Sequence, residues 1–131
     1  MKRLNLTRLC AISLCFGLIS CREVTLLDRS YQRLSIDNFS APLRSRLPNR
    51  EKFPSSLTLR ASGTISQPVF VAVYYLEAGQ PTYPALQDTL AAGTYTDWQM
   101  RQDFYSQEEI ELQVTAAPGT TGSLTLEWYC Q

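Results

Sequence analysis

Apolar and polar residues alternate in short runs along the second half of the chain. In segments 56–62 (SLTLRAS) and 109–115 (EIELQVT) every second residue is apolar, which is the period of a strand with one buried face. Segment 123–130 (SLTLEWYC) repeats this pattern. Segment 68–76 (PVFVAVYYL) is apolar at both parities, as in a central strand that is covered on both faces.

Turn residues separate these runs at intervals of about ten residues. Segment 88–100 (DTLAAGTYTDWQM) predicts a strand, a turn at 91–93 and a further strand. Gly63 and Pro68 indicate a turn before the central strand. In segment 81–90 (PTYPALQDTL) we expect a single turn of helix. With about six or seven strands, the sequence predicts an all-β fold, a small antiparallel β-sandwich.

The first twenty residues have the parts of an export signal. Lys2, Arg3 and Arg8 are positive, and no acidic residue precedes Glu23. The apolar stretch 9–19 is eleven residues long, well short of the roughly 20 residues that a membrane-spanning helix needs. This combination is typical of a secretory signal.

The end of the apolar stretch resembles the lipobox of bacterial lipoproteins. Leu18 lies three positions before Cys21, and the aliphatic Ile19 and the small Ser20 stand between them. The later SG turn, LAAGTY hairpin and final SLTLEWY strand resemble those of small β-sandwich lipoproteins of Gram-negative bacteria. Because these later motifs are core and turn positions, the second resemblance implies a fold and not an activity.

The lipobox resemblance implies that a signal peptidase cuts between Ser20 and Cys21 and that the Cys21 sulfur carries a diacylglycerol. Two or three acyl chains make a durable anchor, because each buried methylene contributes about 0.8 kcal/mol. In that family an Asp after the cysteine favours inner-membrane retention, so Arg22 implies sorting to the outer membrane. We expect a lipid-anchored envelope protein on the periplasmic face rather than the cell surface.

The chain before residue 57 is expected to form a tether. Segment 41–56 contains three prolines and no sustained period, which is typical of a linker or loop. Segment 31–39 (YQRLSIDNF) has strand-like alternation through Leu34 and Ile36. The predicted parts are a signal peptide (1–20), a lipidated tether with one candidate strand near 31–39 (21–56) and a β-sandwich domain (57–131).

Charge is unevenly distributed, although the whole chain has a formal net charge of zero. Segment 22–60 carries +4 and segment 61–131 carries −7. The basic segment is either a solvated tether or a second membrane contact, which contributes about 1 kcal/mol per Lys or Arg near anionic headgroups. The expected partners are the membrane and an envelope protein or glycan, with no nucleic acid.

Cys130 is the one cysteine expected in the mature chain besides Cys21. An odd cysteine in an oxidising compartment allows an intermolecular disulfide. Its parity with Leu126 and Trp128 favours a buried thiol that acts as a small apolar side chain.

Side chains suited to catalysis are scarce. The chain has no histidine, which removes the commonest general base and the commonest transition-metal ligand. It has no glycine-rich phosphate loop and no cysteine cluster, and Glu109 and Glu111 are expected on a solvated strand face. We expect no enzyme activity, no cofactor and no metal site.

The aromatic segment 94–106 (TYTDWQMRQDFYS) is the strongest candidate for ligand binding. Its rings and acids suit a sugar, because rings stack on pyranose faces while polar groups bind hydroxyls. The candidate site comprises Tyr95, Asp97, Trp98, Asp103 and Tyr105. Alternatively, Trp98 and other rings fill the core and the two aspartates lie in turns. The aspartates also suit calcium, but their spacing matches no calcium-loop pattern.

The sequence therefore predicts a membrane-anchored envelope lipoprotein with a structural or protein-interaction role. The alternative is a carbohydrate-binding module that uses the five residues above. Exposure separates the two hypotheses, because a sugar site requires Tyr95, Trp98 and Tyr105 to face solvent on one patch.

Overall fold

The computed structural model describes residues 32–47 and 52–131, which contain strands and no helix. The strands are β1 (Gln32–Ile36), β2 (Leu43–Leu47), β3 (Ser56–Ile65), β4 (Val69–Glu77), β5 (Gln80–Leu90), β6 (Gly93–Asp103), β7 (Ile110–Ala116) and β8 (Gly122–Cys130). The predicted all-β class is confirmed.

The strands form two four-stranded antiparallel sheets. Sheet A has the order β1-β8-β3-β6, and sheet B has the order β2-β7-β4-β5. Each connection crosses from one sheet to the other, except the β4–β5 hairpin. This alternation is the topology of an eight-stranded jelly roll, and it confirms the predicted β-sandwich.

The core lies between the two sheets and is filled by the alternate side chains of each strand. The apolar residues predicted to face inward on β3, β7 and β8 are buried, except for the half-buried Cys130. On the opposite parity, Thr58, Glu111 and Tyr129 are buried as well. The buried residues of this core cluster that belong to sheet A are Ile36, Leu57, Leu59, Ala61, Ile65, Leu124, Leu126 and Trp128. Those of sheet B are Leu47, Val69, Val71, Val73, Leu86, Leu90, Ile110, Leu112 and Val114.

The sandwich begins earlier than the predicted boundary at residue 57. Strand β1 corresponds to the candidate strand near 31–39, and it is an edge strand of sheet A. Strand β2 lies in segment 41–56, where the sequence predicts a linker or loop, and it is an edge strand of sheet B. The prolines beside β2 misled the prediction, because prolines are compatible with the ends and edges of sheets.

Segment 81–90 is also extended, so the expected turn of helix is wrong. This segment belongs to β5, the other edge strand of sheet B. Pro81 and Pro84 lie where the β4–β5 register shifts, near Tyr74 and Leu76. An irregular edge tolerates residues that lack a backbone N–H.

Glu111 does not lie on the expected solvated face, although Glu109 is exposed. The Glu111 side chain is only 6% exposed, and its carboxylate lies 3.9 Å from Arg44 Nη1 and 3.7 Å from Arg46 Nε. Gln113 Nε2 also donates to Glu111 Oε1 at 2.8 Å. Glu111 points away from the core, but the long Arg44 and Arg46 side chains of β2 lie along the sheet surface and cover it. The acid therefore links β7 to β2.

Two glycines allow β3 and β8 to approach closely. Gly63 and Gly122 both have positive φ, at 130° and 116°. A Cβ at Gly63 would collide with the Ser123 backbone, and a Cβ at Gly122 would collide with the Thr64 carbonyl. The pairing of these two strands therefore depends on the absence of a side chain at both positions.

We predict that a chain of residues 57–131 fails to fold cooperatively, whereas a chain of residues 32–131 folds. The shorter chain lacks β1 and β2, so it loses the buried Ile36 and Leu47 and exposes β8 and β7 as new sheet edges. Urea denaturation and amide dispersion in NMR spectra measure the difference. Any cooperative unfolding transition of the shorter chain would contradict the prediction.

We predict that Gly122→Ala lowers the free energy of unfolding by more than about 3 kcal/mol, through collision with the β3 backbone. Gly119→Ala is the matched control, because Gly119 also has positive φ (80°) but has open space around the position of a Cβ. It should cost only about 1 kcal/mol of backbone strain. Equal losses in denaturant titrations would show that strain alone accounts for the effect.

Candidate functional site

The five residues of the predicted sugar site do not form one patch. Tyr95 and Trp98 are half-buried on β6 and pack against the core. The Tyr95 hydroxyl donates to the Ala91 carbonyl at 2.6 Å. The geometry therefore matches the alternative interpretation, in which these rings belong to the interior.

The two aspartates of the predicted site lie far apart on β6. They are six residues apart on one strand, which corresponds to about 20 Å. Asp97 lies at a bulge opposite β3 and lines a pocket of about 120 Å³ together with Trp98, Arg60 and Glu127. Glu127 in turn forms an ion pair with Arg33. Asp103 lies at the end of the strand, opposite Ser56. One calcium ion could not contact both aspartates.

Tyr105 belongs to a different surface, which we name the tyrosine depression. The depression has a volume of about 430 Å³ and lies at the end of the sandwich where β4 and β6 end and β5 and β7 begin. Its lining residues are Tyr75, Leu76, Glu77, Thr82, Tyr83, Tyr105, Ser106 and Glu108.

Tyr75 forms the fixed inner side of the depression. Its ring stacks on the fully buried Phe104, with centroids 5.2 Å apart and an interplanar angle of 8°. The Tyr83 ring lies 4.7 Å away at 41°. Burial raises the pKa of Tyr75 above its usual value, and the nearby Tyr83 and Cys130 side chains raise it further. Tyr75 is therefore a neutral phenol at neutral pH.

Hydrogen bonds to the backbone hold the polar side chains of the rim. Thr82 Oγ1 donates to the Tyr75 carbonyl at 3.2 Å, and Ser106 Oγ accepts from the Glu108 N–H at 3.1 Å. The Glu77 and Glu108 carboxylates make no hydrogen bond or ion pair with the other residues that the structure describes. They are hydrogen-bond acceptors available to a ligand.

Sequence reasoning included Tyr105 but missed Tyr75, Tyr83, Glu77 and Glu108. Tyr75 lies in a run that is apolar at both parities, where an aromatic residue is expected in the core. Tyr83 lies in segment 81–90, where the sequence predicts a turn of helix. A usable signal was the density of tyrosines around the EAGQ turn at 77–80, because tyrosines beside a hairpin turn lie near a sheet end.

The predicted anchor residues Ser20, Cys21 and Arg22 lie outside the described residues. Cys130 is half-buried and packs against the core.

Within residues 32–47 and 52–131, no helix is long and apolar enough to cross a membrane.

In the same part of the chain, no three His, Cys, Asp or Glu side chains are grouped so that they could hold a metal ion.

Comparison of the chain with protein-family models, with curated proteins and with solved structures gives no match. No similar protein therefore indicates the fold or the function. The fold follows from the strand order above, and the function is proposed from the residues.

We predict that Tyr75→Phe reduces the loss of stability at alkaline pH. The folded-state pKa of Tyr75 is raised. As pH rises, the Tyr75 hydroxyl therefore loses its proton in the unfolded chain, at about pH 10, before it does so in the folded protein. The wild-type free energy of unfolding therefore falls as pH rises through that value. Urea denaturation between about pH 9 and pH 11 should show a shallower fall for the variant. Measurements at neutral pH provide the baseline, and parallel alkaline profiles would contradict the prediction.

Proposed function

We propose that the protein is a lipoprotein of the cell envelope, anchored through Cys21, whose sandwich domain has a structural or protein-interaction role. The observation that carries the proposal is the run of Leu18, Ile19, Ser20 and Cys21 at the end of a short apolar stretch. A spanning helix needs roughly 20 apolar residues, whereas lipids on one cysteine anchor a domain without any spanning segment.

The fold supports this proposal through the position of its first strand. Gln32 begins β1 only eleven residues after Cys21. Eleven residues reach at most about 40 Å when fully extended. The domain of an anchored chain therefore stays close to the membrane, on a connection much shorter than the expected 36-residue tether (21–56).

The chemistry of the chain favours binding over catalysis. The sequence lacks histidine and has no nucleophile–base pair of a familiar spacing. With Arg22 after the cysteine, the proposed location is the outer membrane, facing the periplasm. A protein held at that surface can act by contact with other envelope components.

We predict that the wild-type chain, expressed in a Gram-negative bacterium, incorporates an alkyne-labelled fatty acid and fractionates with membranes. Cys21→Ala should lose both properties, because the variant has no sulfur to carry the lipid. Cys15→Ala and Cys130→Ala are matched controls and should keep both. Label that persists in Cys21→Ala would refute the anchor.

The interaction role is tested in the same strains by crosslinking intact cells before purification. An envelope protein recovered with the wild-type chain and lost with Cys21→Ala would support a membrane-proximal contact. Equal recovery with both forms would count against any contribution of the anchor to the interaction.

A further inference from the structure

The tyrosine depression contains two of the most exposed rings of the described domain. Among the described residues, three large hydrophobic side chains are strongly exposed: Phe53 at 79%, Tyr105 at 73% and Tyr83 at 63%. Two of these three line the depression. Tyrosine is enriched in binding surfaces, because its ring offers a large contact area with few rotatable bonds.

The depression is held in shape before any ligand arrives. The Tyr75 ring lies between the buried Phe104 and the exposed Tyr83. The Thr82 hydroxyl bond to the Tyr75 carbonyl links β5 to β4 beside these rings. A ring that is already positioned loses little conformational entropy on binding, so more of the contact energy appears as affinity.

The polar atoms of the rim select the kind of ligand. The hydroxyls of Thr82 and Ser106 already take part in backbone hydrogen bonds. The carboxylates of Glu77 and Glu108 are acceptors without a partner among the described residues. A ligand with many hydroxyl donors fits this rim, because hydrogen bonds from hydroxyls to carboxylates are short and strong.

Charge excludes other occupants. The two carboxylates repel acidic polysaccharides and anionic lipid headgroups. An aliphatic ligand would cover the rings but leave both acids desolvated without partners, which is costly. A neutral pyranose covers a ring with its C–H face and offers hydroxyls to the acids at the same time.

We infer that the tyrosine depression binds a neutral carbohydrate, with sugar rings stacked on Tyr83 and Tyr105 and hydroxyls donated to Glu77 and Glu108. This inference differs from the site predicted by sequence, with which it shares only Tyr105. The inference rests on the proposed function in one respect, because a domain that is anchored in the cell envelope lies close to the glycans of the envelope.

The test uses the full chain, purified in a detergent without a sugar headgroup and titrated calorimetrically. The probes are three neutral hexasaccharides, of β-1,4-glucose, β-1,4-N-acetylglucosamine and α-1,4-glucose, with polygalacturonate as an acidic probe. We expect at least one neutral probe to bind and the acidic probe not to bind. Tyr83→Ala should weaken binding by about tenfold or more, equivalent to about 1.4 kcal/mol.

Matched variants separate stacking from other effects. Tyr83→Phe keeps the ring and should stay within about threefold of wild type, whereas Tyr105→Ala, at a ring exposed in the loop before β7, should weaken binding as Tyr83→Ala does. Phe53→Ala removes an exposed ring outside the depression and should leave the affinity unchanged. Failure of all neutral probes, or an equal loss in Phe53→Ala, would overturn the inference.

Two further measurements keep this inference distinct from the anchor and from a lipid contact. The Cys21→Ala form should bind the same hexasaccharide with wild-type affinity, so a failed anchor and a failed sugar site are separately visible. The Cys21→Ala form is also mixed with phosphatidylethanolamine vesicles, with and without the additional Tyr83→Ala substitution. Vesicle binding that is lost on the Tyr83→Ala substitution would identify the depression as a lipid contact and overturn the sugar inference.

Discussion

The mutual burial of two apolar sheet faces is the constraint on which the rest of this structure depends. Each fully buried aliphatic or aromatic side chain contributes about 1.5–3 kcal/mol, and the inner faces supply these from every strand except β6, whose Tyr95, Trp98 and Met100 are half-buried. Because every connection except the β4–β5 hairpin crosses between the sheets, the loops gather at the two ends of the sandwich. The tyrosine depression is a consequence, since residues from that hairpin and from the loop before β7 meet at one end.

The sequence predicted those parts of the fold that have a strong local pattern. Strands β3, β7 and β8 have a clear alternation of residue types because the apolar side chains of each face the core, although Thr58 and Glu111 on the opposite parity are buried as well. Strand β2 was missed and β5 was predicted only at its end, from residue 88, since prolines and charges at sheet edges imitate a loop. The burial of Glu111 has no local signal, because its partners Arg44 and Arg46 lie more than sixty residues earlier in the chain.

The candidate site was harder to predict because it is not local. Sequence reasoning grouped the rings of 94–106 by their proximity along the chain, but Tyr95 and Trp98 pack against the core. Simple alternation puts residues three apart on opposite faces, and the register shift at Ala61 and Gly63 of β3 brings both rings to the same face. Tyr105 lies beyond the end of β6 and so escapes that alternation. Its companions come from the β4–β5 hairpin, where a shift in register decides which residues reach the depression. That shift depends on three-dimensional strand pairing rather than on composition.

The place where the chain enters the sandwich relates the anchor to the tyrosine depression. Strand β1 starts beside the end of β8, at the same end of the sandwich as Tyr75 and Tyr83. With lipid on Cys21, Gln32 is held within about 40 Å of the membrane, at the end of the sandwich that carries the depression, and the loop that contains Gly119 lies at the opposite end. A glycan bound in the depression of the anchored chain would therefore lie at the end of the sandwich where the tether enters.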